Sequence, residues 1–300
     1  LTQFQQQELS GLLAAGGLVP GEFESSSAPA SRLAELLEGP WHEIDFRRRT
    51  NQEYSIVSGK NRLATLLLRP SSEKGAFGFG KWELERLSLA IEPLPARELL
   101  VPAGVDRISL NGKPIGTRYR VDAALPVEEY GVLPEGIPPA LTSRYRIEGL
   151  YCEPTIEAAS ALGDVSVQQD GASAILSLQP DPALVAELTP RIIEGSQRYA
   201  NYITQDATWS QLQPYFLKGT EFYTHLRQFF NGWYSTHDSN RFSNVLVQDF
   251  SMIDQQHLSC RISFDYIITM GARTFEYPST YQVYLIKTDG GWKISNLLVQ

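Results

Sequence analysis

Cysteine is nearly absent: Cys152 and Cys260 are the only two in 300 residues. Two isolated thiols offer neither a metal-ligand spacing nor a redox pair. They fall in different predicted domains, so no bridge between them is expected. Cys260 sits on the apolar face of a strand, where a small buried hydrophobe is the default. Low cysteine fits the cytosol and equally the exterior of bacteria that use few disulfides. Long apolar runs are missing as well. No stretch approaches the roughly 18–20 apolar residues of a membrane-crossing helix, and no signal peptide is visible. Positive charge is in short supply: 26 Lys and Arg against 34 Asp and Glu leave a net charge of −8. Such a chain is repelled by phosphate backbones, which argues against nucleic acid as a partner. The one basic cluster, Arg47-Arg48-Arg49, lies inside a strand-like run and reads as a solvated strand edge.

Catalytic signatures are absent too. There is no glycine-rich phosphate loop after a strand, no His-Glu-x-x-His and no nucleophile elbow. Gly75-Ala76-Phe77-Gly78-Phe79-Gly80 is glycine-rich, but it sits in a hairpin loop rather than before a helix. His237-Asp238 has the look of a dyad. Adjacent residues seldom converge on one atom, however, and no third ligand stands at helical or hairpin spacing. His225 lies within a helix, His257 begins a strand, and His42 beside Trp41 opens a sheet and reads as structural. Neither a metal nor a cofactor is expected.

The chain has aromatics in plenty: 13 Phe, 14 Tyr and 5 Trp within a hydrophobic fraction of 42%. That is a globular composition with ample core. Its length predicts about two or three domains at roughly 100–200 residues each. The clearest internal signal is a repeated closing strand. Lys81-Trp82-Glu83-Leu84-Glu85-Arg86-Leu87-Ser88-Leu89 matches Gly291-Trp292-Lys293-Ile294-Ser295-Asn296-Leu297-Leu298-Val299 in its Trp, in an aliphatic two residues on, and in apolar residues five and seven on. A repeat on this scale predicts a modular chain, not one large catalytic fold.

Three domains follow. Residues 1–97 open with a helical stripe of Leu9, Leu12 and Leu13 and a Gly/Ser/Pro-rich loop. Ser31 is the N-cap of a helix over Arg32–Leu37, stopped by Gly39-Pro40. Strands are predicted at Trp41–Thr50, Glu53–Ser58, Arg62–Arg69 and Lys81–Ile91, with Pro70–Gly80 as a loop. Residues 98–181 hold no long helix. Asn111-Gly112 is a two-residue hairpin signal, since a type I′ turn demands positive φ at both positions. Strands resume at Ser143–Tyr151, Val165–Gln169 and Ala174–Leu178. Residues 182–300 begin with a helix over Pro182–Ile203, interrupted near Pro190, with Ile192, Ser196, Tyr199, Ala200 and Ile203 on one face. Helical stretches at Thr208–Tyr215 and Gly219–Phe230 follow, then four strands. In the second of these, Leu258, Cys260, Ile262, Phe264, Tyr266, Ile268 and Met270 alternate with mostly polar residues, which predicts a long antiparallel strand with one buried face. Phe275, Tyr277, Tyr281, Val283 and Leu285 repeat the pattern in the third.

Helices followed by a curved antiparallel sheet that closes on Gly290-Gly291-Trp292-Lys293-Ile294 resemble the nuclear-transport-factor-2-like, or cystatin-like cone, superfamily. The residues that carry the likeness are Arg191–Ile203, Tyr215–Trp233, Leu258–Met270, Thr274–Lys287 and Gly291–Val299. The expected fold class is therefore α+β: a C-terminal cone of helices on a curved antiparallel sheet at 182–300, a smaller degenerate copy at 1–97 and an all-β module at 98–181. The middle motifs, Val101-Pro102-Ala103-Gly104, Ile108-Ser109-Leu110-Asn111-Gly112-Lys113-Pro114 and Tyr145-Arg146-Ile147-Glu148-Gly149-Leu150-Tyr151, resemble small β modules of Gram-positive envelope proteins. Among these are proteins similar to teicoplanin-resistance-associated membrane proteins. The resemblance implies a membrane-anchored ectodomain. The chain opens on Leu1 rather than Met, and Leu1–Ser10 reads as mid-helix, so a trimmed upstream anchor or signal peptide is expected.

The superfamily includes isomerase-like and dehydratase-like enzymes, whose acid–base residues point inward, and many non-catalytic binding domains. Enolisation needs a base and a donor for the enolate oxygen. Tyr266 and Tyr281 are inward donors, but Asp265 is on the outward register and Asp249 has no settled register. The aromatic cluster of the helices is mostly core, with Tyr199, Tyr223, Phe230, Trp233, Tyr266 and Tyr281 as candidate ligand-binding walls. The expectation is a non-enzymatic extracytoplasmic array, a spacer or a binding surface for a wall component, peptide or partner protein, with a ligand-sensing cone as a variant. The alternative is a small-molecule isomerase or dehydratase. A cone plugged by its own aromatics excludes the enzyme; an open pocket with a buried titratable pair favours it.

Overall fold

A computed structural model describes residues 18–36, 44–74, 80–228 and 236–300. The Leu9–Leu13 stripe, His42 with Trp41, the Gly75–Phe79 loop, Phe230 and Trp233 lie outside those residues. The chain divides into two compact units. One comprises Leu1–Arg97, Leu110–Lys113 and Ile147–Ile156; the other comprises Glu98–Ser109, Pro114–Arg146 and Glu157–Gln300.

The first unit carries helix α1 (Ala28–Glu35) and strands β1 (Asp45–Arg48), β2 (Glu53–Ser58), β3 (Asn61–Lys74) and β4 (Gly80–Leu89). The strands form one antiparallel sheet in chain order. Leu33 of α1 packs with Ile56, Leu63, Ala64, Leu87 and Tyr151 in its core. Strand β3 runs on to Lys74, through Pro70, where a loop is expected from the sequence. The reason is local: β2 pairs with β3 as far as Leu67, with a last bond from Leu68 N to Gln52 O, so among the described residues that edge is open at Pro70, where proline's missing N–H costs no ladder bond. Glu24 anchors the unit. Its carboxylate accepts backbone N–H groups of Gly21 (3.1 Å), Tyr151 (2.7 Å) and Cys152 (2.8 Å).

Between the two closing strands come β5 (Arg97–Pro102), β6 (Arg107–Leu110), β7 (Lys113–Pro114), β8 (Arg120–Pro126), β9 (Leu141–Ile147), β10 (Ile156–Ala159), β11 (Val165–Asp170) and β12 (Ser173–Leu178). Asn111 and Gly112 take φ of 50° and 75° between β6 and β7, the positive values a type I′ turn demands. Then follow α2 (Pro182–Ile203), α3 (Trp209–Leu212), α4 (Glu221–Gln228), β13 (Ser239–Met252), β14 (His257–Met270), β15 (Arg273–Thr288) and β16 (Gly291–Val299).

Strands β16, β15, β14 and β13 pair antiparallel, and the same sheet runs on through β12, β5, β9 and β8. Strands from the expected middle module thus share a sheet with those of the expected cone. The join is narrow: β12 meets β13 through the single pair Leu178↔Met252, and β5, in parallel, through three. Helix α2 is continuous, with Pro190 inside it and Asp181 capping its start. It buries Leu188, Ile192, Ser196 and Ala200 against a face built from Leu258, Cys260, Ile262, Phe264, Val283 and Leu285. The alternation in β14 therefore becomes one core face, as its period of two requires. Among the described residues no helix is long and apolar enough to cross a membrane.

Candidate functional site

Element lengths create the site. Helix α2 has 22 residues, about 33 Å at 1.5 Å per residue. Strand β14 has 14 and β15 has 16, about 48 and 54 Å at 3.4 Å per residue. Among the described residues the sheet outruns its helical cover. Past Ile203 the apolar stripe continues through Ile268 to Met270, Phe275 and Tyr277, and the last three are exposed although they share the register of the core.

Where helix and sheet part company lies a cavity of about 440 Å³. Tyr199, Ala200 and Ile203 of α2 form one wall; Tyr266, Ile268, Tyr277 and Tyr281 form the other. Thr204, Ser279 and Gln300 add polar edges. Glu276 borders the rim, but it pairs with Ile267, on the register opposite to the Tyr266↔Tyr277 pair. The tyrosine walls are braced by rings behind them. Tyr281 meets Tyr199 edge-on at 5.5 Å and Phe264 at 5.2 Å, and Tyr266 lies 5.0 Å from Phe242, all within the range of favourable aromatic pairs. Burial raises the hydroxyl pKa of Tyr199, Tyr281 and Tyr266, so these walls stay neutral.

The polar chemistry gathers at one corner. The Tyr266 hydroxyl lies 2.8 Å from Thr204 Oγ1 and 3.0 Å from Asp206 Oδ2. Thr204 Oγ1 donates to the same carboxylate oxygen at 2.6 Å, and His237 Nε2 reaches it at 3.0 Å. The His237 side chain is 3% exposed. Asp206 is placed by the turn that ends α2: Gln205 takes φ of 66° and Asp206 N donates to Asn201 O. These groups satisfy one another. Neither Asp206 nor His237 lines the cavity, so a proton could pass to a bound molecule only through the two hydroxyls that do, Tyr266 and Thr204.

Of the candidate residues, Tyr199, Tyr266 and Tyr281 come together around the cavity. Tyr223 does not: it packs on Trp209, ring centroids 4.8 Å apart. Asp206, Thr204, Ser279 and Gln300 are among the residues that sequence reasoning missed. His237 drew attention for its neighbour Asp238, yet its partner is Asp206, and Asp238 instead accepts the N–H of Gly271 at 2.6 Å. Asp265 bonds the Asn244 side chain at 2.6 Å and Asp249 pairs with Arg261, so both are occupied away from the cavity. Among the described residues no group of His, Cys, Asp and Glu side chains is placed to hold a metal ion.

No protein-family model matches the chain, and no curated protein does. Among solved structures it is similar to a function-unknown protein from Mycobacterium tuberculosis, 18% identical over 40% of this chain and 75% of that one, with a TM-score of 0.27. It is also similar to an NTF2-like protein involved in plasmid conjugation, 8% identical over 85% of this chain and 74% of that one, again with a TM-score of 0.27. At that score neither likeness carries an argument. The mixed α+β character rests on helices α2 to α4 over the antiparallel strands β13 to β16.

Proposed function

We propose that residues 182–300 form a nuclear-transport-factor-2-like cone that binds a small, mainly apolar molecule, within a non-enzymatic, extracytoplasmic domain array of a membrane-anchored bacterial envelope protein. The observation that carries the binding reading is the cavity of about 440 Å³ between α2 and the outrunning sheet. Its size and its tyrosine and aliphatic walls suit a small molecule. A pure spacer gains nothing from leaving such a face uncovered. Glu276 stands at the rim, on the register opposite to the tyrosine walls, while Asp206 and His237 are bonded to each other and do not line the cavity, which favours binding over chemistry. The envelope setting is supported by the resemblance of the Val101–Pro114 and Tyr145–Tyr151 motifs.

Calorimetry with neutral aromatic probes such as indole and naphthol tests the binding reading. The native chain is expected to bind, and Ile268→Trp, which fills the cavity, is expected to bind at least tenfold more weakly while melting cooperatively. Equal binding by both, or by neither, sinks the reading. Protease treatment of intact cells producing the full-length protein tests the location: protection from external protease counts against the envelope.

A second reading, a small-molecule isomerase or dehydratase, draws on the Asp206–His237–Tyr266 cluster. It predicts slow proton exchange or turnover of a bound ligand in deuterated buffer, abolished by both Tyr266→Phe and His237→Gln. A ligand that binds and stays unchanged ends that reading.

A further inference from the structure

The two closing strands share a pattern and differ in their surroundings. In β16, Trp292 is 5% exposed and Ile294 2%. In β4 the matching Trp82 and Leu84 are 52% and 51% exposed. Strand β4 is also the end of its sheet, so among the described residues its outer backbone edge has no strand beside it. Trp82 stands opposite Pro70 and Leu84 opposite Leu68, which makes one apolar face. Lys81 and Glu83 point to the other. An open edge that carries large apolar side chains is a template for pairing.

We propose that β4 is a self-association edge, on which two copies of the chain pair antiparallel about a twofold axis at Trp82. The occupant follows from charge and register. The pairing of β3 and β4 steps from Leu67↔Arg86 to Leu68↔Leu84, so Glu85 is an extra, bulged residue that ends regular pairing. The usable edge is Gly80–Leu84; the second irregularity of the pair, between Pro70 and Lys74, puts its extra residues in β3 rather than in β4. With Trp82 on the axis, Lys81 of each copy faces Glu83 of the other, and Gly80 faces Leu84. A shift of one residue would set Lys81 or Glu83 against Trp82 and mix the two faces. Centring on Glu83 would oppose two carboxylates and draw in the bulge. The strand is thus self-complementary in one register, as an isologous interface must be. The present partners of these charges do not prevent it. The pairs Lys81–Glu73 and Arg69–Glu83 are exposed on both sides, and such surface pairs are weak and readily exchanged.

Sedimentation velocity over a concentration series of the whole chain tests this. The native protein is expected to form dimers. Lys81→Glu and Glu83→Lys, each placing like charges opposite one another, are expected to weaken dimerisation at least tenfold. The double exchange, which restores opposite signs, is expected to recover it. All four side chains involved are exposed or at the rim, and circular dichroism should show unchanged folding. A native chain that stays monomeric overturns the proposal. So does a dimer indifferent to the single reversals, or a double variant no better than the singles.

Discussion

Glu24 shows how much one side chain can hold. It is 6% exposed, and three backbone N–H groups from two distant stretches of sequence end on its carboxylate. Removing an ionised acceptor from a buried site strands its donors, at roughly 2–3 kcal/mol or more. Glu24→Ala is expected to cost that much in chemical denaturation, and Glu24→Gln, which keeps one carbonyl acceptor, less. The same scale separates legible from illegible site residues. Tyr266 and Tyr281 could be found because strand alternation fixes which way a side chain points. Asp206 could not. It sits in an irregular turn, where no period applies, and its partners Tyr266 and His237 are far off in sequence. The only local hint was Gln205-Asp206 following the apolar face of α2, which resembles any helix end.

At the scale of elements, the β13–β14 turn carries its own pH response. Asp254 Oδ1 accepts from Gln256 N at 2.7 Å and from His257 N at 3.0 Å, and it lies 2.8 Å from His257 Nδ1. Burial by itself would raise this carboxyl's pKa, but the His257 and backbone bonds outweigh it and hold it below the ordinary carboxylate range. A carboxylate depressed in the folded state contributes stability above its unfolded pKa, near 3.9. That contribution fades as pH falls through the lower folded value, because the unfolded chain then binds the proton first. Thermal melts of the native chain and Asp254→Asn should therefore differ most at neutral pH and converge below about pH 4. A constant gap would mean that the turn is held otherwise. Element scale is also where the Trp repeat was only half readable. Local sequence predicts two strands alike, and both form. Whether a Trp is buried depends on a helix elsewhere covering it, which the strand's own residues do not encode.

Across the whole molecule, the long sheet is strong at one end and thin in the middle. Strands β14 and β15 pair without interruption from His257↔Ile286 to Met270↔Arg273, while β12 and β13 share one pair. Buried, fully paired amides open only with global unfolding, and thin joints open locally. Hydrogen exchange is expected to be slowest at Cys260–Phe264 and Val283–Leu285 and faster at the β12–β13 join, where Ser177–Leu178 and Ser251–Met252 are fully paired only on their other sides. Uniform protection along the sheet would contradict this. The thin joint also explains what sequence could not foretell. Strand existence follows from alternation, but that β12 should meet β5 in parallel and β13 by one pair depends on non-local contacts worth little individually.

The mismatch between a 22-residue helix and strands of 14 and 16 residues makes the binding space a matter of length rather than of wall chemistry. The β14–β15 hairpin acts as a ruler. Its tip, Gly271 with φ of 58°, reverses the chain between Met270 and Arg273. Removing Thr269, Met270, Arg273 and Thr274 together would shorten both strands by two residues, about 7 Å. It would leave every remaining side chain on its original face, because the deletion matches the strand period. The cleft would become shallower while Tyr199, Tyr266 and Tyr281 keep their places. Ligand size should then change without ligand type, and a panel of probes graded in length would read the difference directly.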